Sequence, residues 1–115
     1  RCAVYSRMSG VKAEEFSRER EKHHLLDVRE DDEWRAGHID GAQHIPLGEL
    51  AARVAELPSG RPIVAVCRIG ARSATAVRGL HQMGHSAENL DGGVTAWARA
   101  GLPLMDEQGR PGKVI

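Results

Sequence analysis

The run Ile63-Val64-Ala65-Val66-Cys67 constrains this chain more than any other segment. Five consecutive apolar residues, three of them β-branched, have the length and composition of a buried strand and fall far short of the ~18 residues that a membrane span needs. A strand covered on both faces belongs to a parallel sheet, whose crossovers lay helices above and below it. The flanking sequence supplies them, because short apolar runs alternate with stretches of helical period and no internal repeat intervenes. At 115 residues there is material for one α/β domain and no second core. One domain implies one principal site.

Residues 1–10 carry no clear period and stay unplaced. Val11 and Lys12 read as a short strand, followed by a polar surface helix over residues 13–21 with Phe16 as its apolar anchor. Leu25 to Val28 reads as a buried strand. The acidic run Glu30 to Glu33 suits the positive N-terminal end of a short helix through Trp34 and Arg35, stopped by Gly37. A turn over His38 to Gly41 and a brief strand over Gln43 to Ile45 follow. Pro46 then opens a helix with the stripe Leu47, Leu50, Val54 and Leu57, ended by Pro58 and Gly60. Pro62 to Val66 forms the next strand. A helix starting near Ser73 places Ala76, Val77, Leu80 and Met83 on one face and is capped by Gly84. Ala87 to Leu90 gives the last strand, Asp91-Gly92-Gly93 a tight loop, and Val94 to Ala100 a helix with Val94 and Trp97 inward. Residues 106–115, with Gly109, Pro111 and Gly112, read as a loosely held tail.

Sixteen basic and sixteen acidic side chains sum to zero net charge, which excludes an overall field for nucleic acid or an anionic membrane. The sum hides two unlike stretches. Residues 61–87 contain Arg61, Arg68, Arg72 and Arg78 and no acid, whereas residues 27–33 hold five acids against Arg29. Two cysteines, Cys2 and Cys67, are too few for a disulfide framework and point to a reducing, cytoplasmic setting. The chain starts at Arg1, with no apolar signal core after it, so attachment to a longer protein stays open.

The chemistry converges on Cys67-Arg68-Ile69-Gly70-Ala71-Arg72-Ser73, between a buried strand and a helix. In an open α/β sheet, ligands bind beyond the carboxyl ends of the strands, where this loop falls. A chain that wraps around its own first side chain turns several amides toward one point, and the following helix adds its positive end. A thiol there ionises more readily than a free one, and Arg68 and Arg72 add charge of the right sign. Gly70 lets the backbone take φ > 0 close to the sulfur. Arg68 and Arg72 attract an anionic substrate, or one of them holds the loop by bonding a carboxylate. His23-His24 has no third ligand at metal spacing, so no metal is assigned.

These residues resemble those of the single-domain rhodaneses, a sulfurtransferase family. The resemblance rests on Leu26-Asp27-Val28-Arg29-Glu30, Trp34, Gly37-His38-Ile39-Asp40-Gly41-Ala42, the Cys67 to Ser73 loop, and Asp91-Gly92-Gly93 with Trp97 and Gly101-Leu102-Pro103, over about residues 11–104. It implies a rhodanese-like α/β domain with a five-stranded, mostly parallel sheet flanked by helices on both faces. It also implies that Cys67 accepts a sulfane sulfur from thiosulfate or a persulfide and passes it to cyanide or to a thiol, on a small molecule or a protein. No metal or organic cofactor, nucleic acid or membrane is implied. Asp27 and Arg29 then brace the sheet end, His38 steadies a turn, Gly92 and Gly93 form a supporting loop, and Trp34 and Trp97 pack. Cys2, in the unplaced N-terminal segment, reads as a bystander, with resolution of the Cys67 persulfide as a disulfide as the alternative. Phosphatases and arsenate reductases of related fold carry a loop one residue longer, C-x5-R against the C-x4-R of Cys67 and Arg72; the shorter cradle suits one sulfur atom better than a phosphate. Ile69 and Ala71 stand where two-domain rhodaneses are polar, which favours a persulfide donor over thiosulfate. The alternatives are a sulfur-relay or sensing module of a larger protein and a phosphatase or arsenate reductase.

Overall fold

A computed structural model describes residues 10–115. Its elements in chain order are α1 (Ala13–Arg18), β1 (His24–Asp27), α2 (Asp31–Ala36), β2 (Gln43–His44), α3 (Leu50–Arg53), β3 (Ile63–Val66), α4 (Ala71–Gln82), β4 (Ala87–Asn89) and α5 (Gly93–Arg99), with 3-10 turns at Arg20–Lys22, Leu47–Glu49 and Val54–Glu56. The strands pair in the order β2-β1-β3-β4, all parallel. In register, His24 faces Ile63 and Asp27 faces Val66, so β1 and β3 end level and present Asp27 and Cys67 at one edge.

The two-residue period of the strands divides the core. Leu26, Val28, Ile63, Ala65 and Cys67 point to one face, against Leu50 and Leu57 and against Ala76, Val77 and Leu80 of α4. Leu25, Val64 and Val66 point to the other, against Phe16, Ile39, Val94, Trp97 and Leu104. All four residues of β3 are buried, as a strand covered from both sides must be.

Four departures from the sequence reading have physical causes. The described residues form four strands, not five. At the position of the fifth, Val11 alone makes a parallel bridge to Leu90, with Val11 N–H donating to Asn89 O at 2.8 Å and Asp91 N–H donating to Val11 O at 2.9 Å. Gly10, at φ +112°, lies so close that a Cβ would stand 1.9 Å from Asn89 O, and Lys12 already caps α1, so one extended residue is all that fits. The helix after Pro46 is split into a 3-10 turn, the short α3 and a second 3-10 turn. The apolar spacing explains this: Leu47 to Leu50 and Val54 to Leu57 are three apart, the 3-10 period, while Leu50 to Val54 is four. Met83 does not continue the face of Leu80 but lies just past α4, 43% exposed, where Gly84 at φ +88° turns the chain away.

The C-terminal residues are not loosely held. Met105 bridges antiparallel to His38 and Pro111, Gly112 N–H donates to Leu104 O at 2.8 Å, and Lys113 N–H donates to Ala36 O at 2.9 Å. Gly37 makes this docking possible, because a Cβ there would stand 2.5 Å from Lys113 N.

At the carboxyl end of β1, Asp27 and Arg29 form a fully buried ion pair, with Arg29 Nη2 donating to Asp27 Oδ2 at 2.8 Å and Nε reaching Oδ1 at 3.0 Å. Arg29 also donates to Gly37 O at 2.9 Å and Glu33 O at 3.3 Å, which ties α2 to the sheet. Arg29→Met would leave Asp27 charged, buried and unpaired, and should cost about 3–5 kcal/mol. Urea unfolding checks this; a loss below about 1 kcal/mol would show that water or another group replaces the guanidinium.

Candidate active site

Strand β3 delivers the chain to Cys67, whose side chain belongs to the core face under α4 and is only 1% exposed. The next residues rise from the sheet, and Gly70, in the left-handed region at φ +119°, turns them back into α4. The turn aims donors at the sulfur. Gly70 N–H donates to Cys67 Sγ at 3.1 Å, Ser73 N–H at 3.3 Å, and the Ser73 hydroxyl also lies 3.3 Å away. The first amides of a helix have no partner inside it, and in α4 they point at Cys67. Burial pushes the thiol toward its neutral form. The Ser73 hydroxyl and the amides of Ser73, Gly70 and Arg72 outweigh burial, and the thiol ionises below its ordinary value.

The outer side of the loop is held by α5, where Val94 N–H donates to Cys67 O at 2.9 Å and Thr95 N–H to Arg68 O at 3.1 Å. That approach requires Gly93, because a Cβ there would stand 2.3 Å from Cys67 O. Gly92, at φ +75°, makes the turn that precedes it.

The two arginines of the loop differ. Arg72 makes a bidentate pair with Glu33 of α2, at 2.7 Å and 2.8 Å, and so turns toward a carboxylate. That pairing holds the Glu33 carboxyl down at about 2, helped by its bond from the Glu30 backbone and opposed by partial burial. Arg68 is exposed, and its side chain has no hydrogen-bond or ion-pair partner among the described residues. Ile69, at the crest of the loop, is 58% exposed. It borders a groove of about 530 Å³ with Lys12, Glu14, Asp91 and Arg99 along its sides. Ala71 opens α4 at the rim.

Asp27 and Arg29 pair with each other beneath the loop and do not reach the sulfur among the contacts of the described residues. His38 Nδ1 bonds Trp34 O at 2.8 Å, and its ring stacks on Trp34 at 3.6 Å between centroids. His23 and His24 take separate partners, Glu19 O and Gln43 Oε1. Cys2 lies outside the described residues. Two site residues were not singled out from the sequence in these roles. Glu33 carried a signal only as one of several acids suited to a helix start, and nothing in that run marks it as the partner of Arg72. Asn89, at the end of β4, donates from Nδ2 to Gly70 O at 3.0 Å and accepts from the Ser73 hydroxyl. Its position just before Asp91-Gly92-Gly93 was its only signal.

Comparison with known proteins gives this geometry its relatives. The family model for the rhodanese-like domain matches residues 12–100. The chain is 41% identical over 86 residues to a sulfurtransferase of Allochromatium vinosum, a match that covers 74% of this chain and 80% of that protein. It is 47% identical over 90 residues to an HTH-type transcriptional regulator of Mycobacterium tuberculosis, where the match covers 76% of this chain and 38% of the regulator. Among solved structures, a rhodanese-related protein from Thermoplasma volcanium superposes with a TM-score of 0.81 at 30% identity, over 84% of this chain and 96% of that one. With a thiol cradled at the carboxyl end of a parallel sheet and a family model spanning the domain around it, the chain belongs to the rhodanese-like domain family.

Proposed function

We propose that this domain transfers a sulfane sulfur through a persulfide on Cys67. The observation that carries the reading is the convergence of Gly70 N–H, Ser73 N–H and the Ser73 hydroxyl on Cys67 Sγ. Such preorganised donors favour a charged sulfur in a buried site. In the first half-reaction the Cys67 thiolate attacks the outer sulfur of thiosulfate, the new S–S bond forms, and sulfite leaves with the electron pair of the broken one. A persulfide donor reacts in the same way and releases its thiolate. In the second half-reaction, cyanide or a thiolate attacks the outer sulfur and Cys67 leaves as thiolate. No proton need be delivered to either leaving group, which suits a site where, among the described residues, no carboxylic acid contacts the sulfur.

The persulfide extends the cysteine by one atom, and the loop amides then face the sulfur pair. Arg68 is the cation that collects the anionic donor, since Arg72 is engaged by Glu33. Arg72 in turn clamps the start of α4 to α2. The exposed Ile69 favours an organic persulfide donor over thiosulfate at the rim. The transcriptional regulator relative, of which the matched part is 38%, supports a second reading in which the same domain relays sulfur within a larger protein. That reading keeps Cys67 as the carrier.

Three outcomes test these assignments. Treatment with thiosulfate or a small persulfide should add one sulfur atom to the protein, removable by cyanide and absent in Cys67→Ser; intact mass spectrometry reads it, and a wild type unmodified by every donor overturns the reading. Arg68→Ala should raise the KM for thiosulfate about fivefold with kcat little changed, an effect of about 1 kcal/mol for an exposed charge. An unchanged KM in steady-state assays removes Arg68 from donor capture. The Glu33–Arg72 clamp should appear in the pH dependence of stability. Glu33 titrates near 2 folded and at about 4.3 unfolded, so its stabilisation is full above the unfolded value and lost as pH falls toward 2. The stability gap between wild type and Glu33→Gln should therefore close across that window in urea titrations; a gap independent of pH would show that the clamp is not ionic.

A further inference from the structure

Two of the residues whose donors reach the sulfur, Ser73 and Gly70, share one side-chain partner. Asn89 Nδ2 donates to Gly70 O at 3.0 Å, and Asn89 Oδ1 accepts from Ser73 Oγ. The orientation of the amide is determined by chemistry. Gly70 O has no proton, so the nitrogen must face it, and the oxygen is left for the hydroxyl. Asn89 comes from the end of β4, outside the loop. It is held there by the sheet, because β3 and β4 pair through Ala65 and Asn89 and the Asn89 backbone carbonyl accepts Val11 N–H at 2.8 Å.

We propose that Asn89 is a positioning residue for the sulfur: a clip from the sheet that grips both ends of the turn around the Cys67 thiol and keeps hold of its Gly70 end when the thiolate forms. The turn needs one. Gly70 lies in a region of φ where a glycine is free to move, and the turn's own bonds, Ala74 N–H to Gly70 O at 3.1 Å and Ser73 Oγ to Gly70 O at 3.3 Å, join it only to itself and the first turn of α4. Asn89 refers that unit to the strand beside Cys67. The hydroxyl of Ser73 has one proton and three acceptors within reach, Asn89 Oδ1, Gly70 O and Cys67 Sγ, the last of them weak until the thiol ionises. Bonds to a charged sulfur are the stronger kind, so the proton swings to Sγ when the thiol ionises, while the amide–carbonyl bond to Gly70 keeps the backbone donors aimed. The persulfide step moves charge to the outer sulfur, and the Ser73 hydroxyl, keeping its proton, turns back to donate to Asn89 Oδ1. The loop can thus follow the charge without moving its backbone.

This inference deepens the sulfur-transfer reading, because it concerns the same sulfur, yet its test requires no sulfur donor. The rate of alkylation of Cys67 by iodoacetamide is measured against pH and resolved from Cys2 by peptide mass spectrometry, in the wild type and in Asn89→Ala. Circular dichroism verifies that the fold is kept. With the clip removed, the midpoint of the Cys67 profile should rise by about one pH unit, so that the rate well below the midpoint falls about tenfold. A folded variant whose midpoint is unmoved or lower overturns the proposal. Should Asn89→Ala fail to fold, Asn89→Ser, which stays polar but is too short to span to Gly70, is read by the same criterion. Failure of persulfide formation in the wild type would remove the sulfur-transfer reading without altering this result.

Discussion

The buried pair of Asp27 and Arg29 is the contact on which the site end of the domain depends. A carboxylate and a guanidinium, neither exposed to water, are tolerable only because every polar atom finds a partner. The guanidinium uses its remaining donors on the carbonyls of Glu33 and Gly37, and so fixes α2 at both ends of its turn. From there the order propagates by contact. Glu33 holds Arg72, Arg72 belongs to the first turn of α4, and that turn supplies the amides that face Cys67. The C-terminal residues close the other side by docking on Ala36 and His38.

A second consequence is electrostatic. Cys67 stands in an apolar cluster, where an unassisted thiol would stay protonated. The cradle reverses that preference with short-range donors, since the charge of Arg72 is matched by Glu33. The exposed Arg68 and Ile69 are left to meet whatever approaches the loop.

Much of this was legible from residue order. The both-face burial of Ile63 to Val66 announced a parallel sheet, and the spacing of Gly70 and Ser73 after Cys67 announced a turn wrapped around a thiol. What escaped the sequence was pairing at a distance. Glu33 is one of four acids in a run, and only the crossing of α2 over the start of α4 selects it for Arg72. Asn89 lies 19 residues from Gly70 and gains its role from strand register. The fifth strand failed for a local reason, the close approach of Gly10 to Asn89, and the three-part helix after Pro46 was written in a 3, 4, 3 spacing that is read correctly only when both helical periods are considered. The tail was misjudged because glycine and proline predict turns and do not say what the turns pack against.

The most direct test of the account follows the two sulfur atoms of thiosulfate separately. Thiosulfate labelled at the outer sulfur should leave its label on Cys67, and thiosulfate labelled at the inner sulfur should lose its label to solution as sulfite, with one equivalent released for each persulfide formed. Retention of both labels on the protein, or of the inner label alone, would contradict attack by the Cys67 thiolate on the sulfane sulfur and the role given to its cradle.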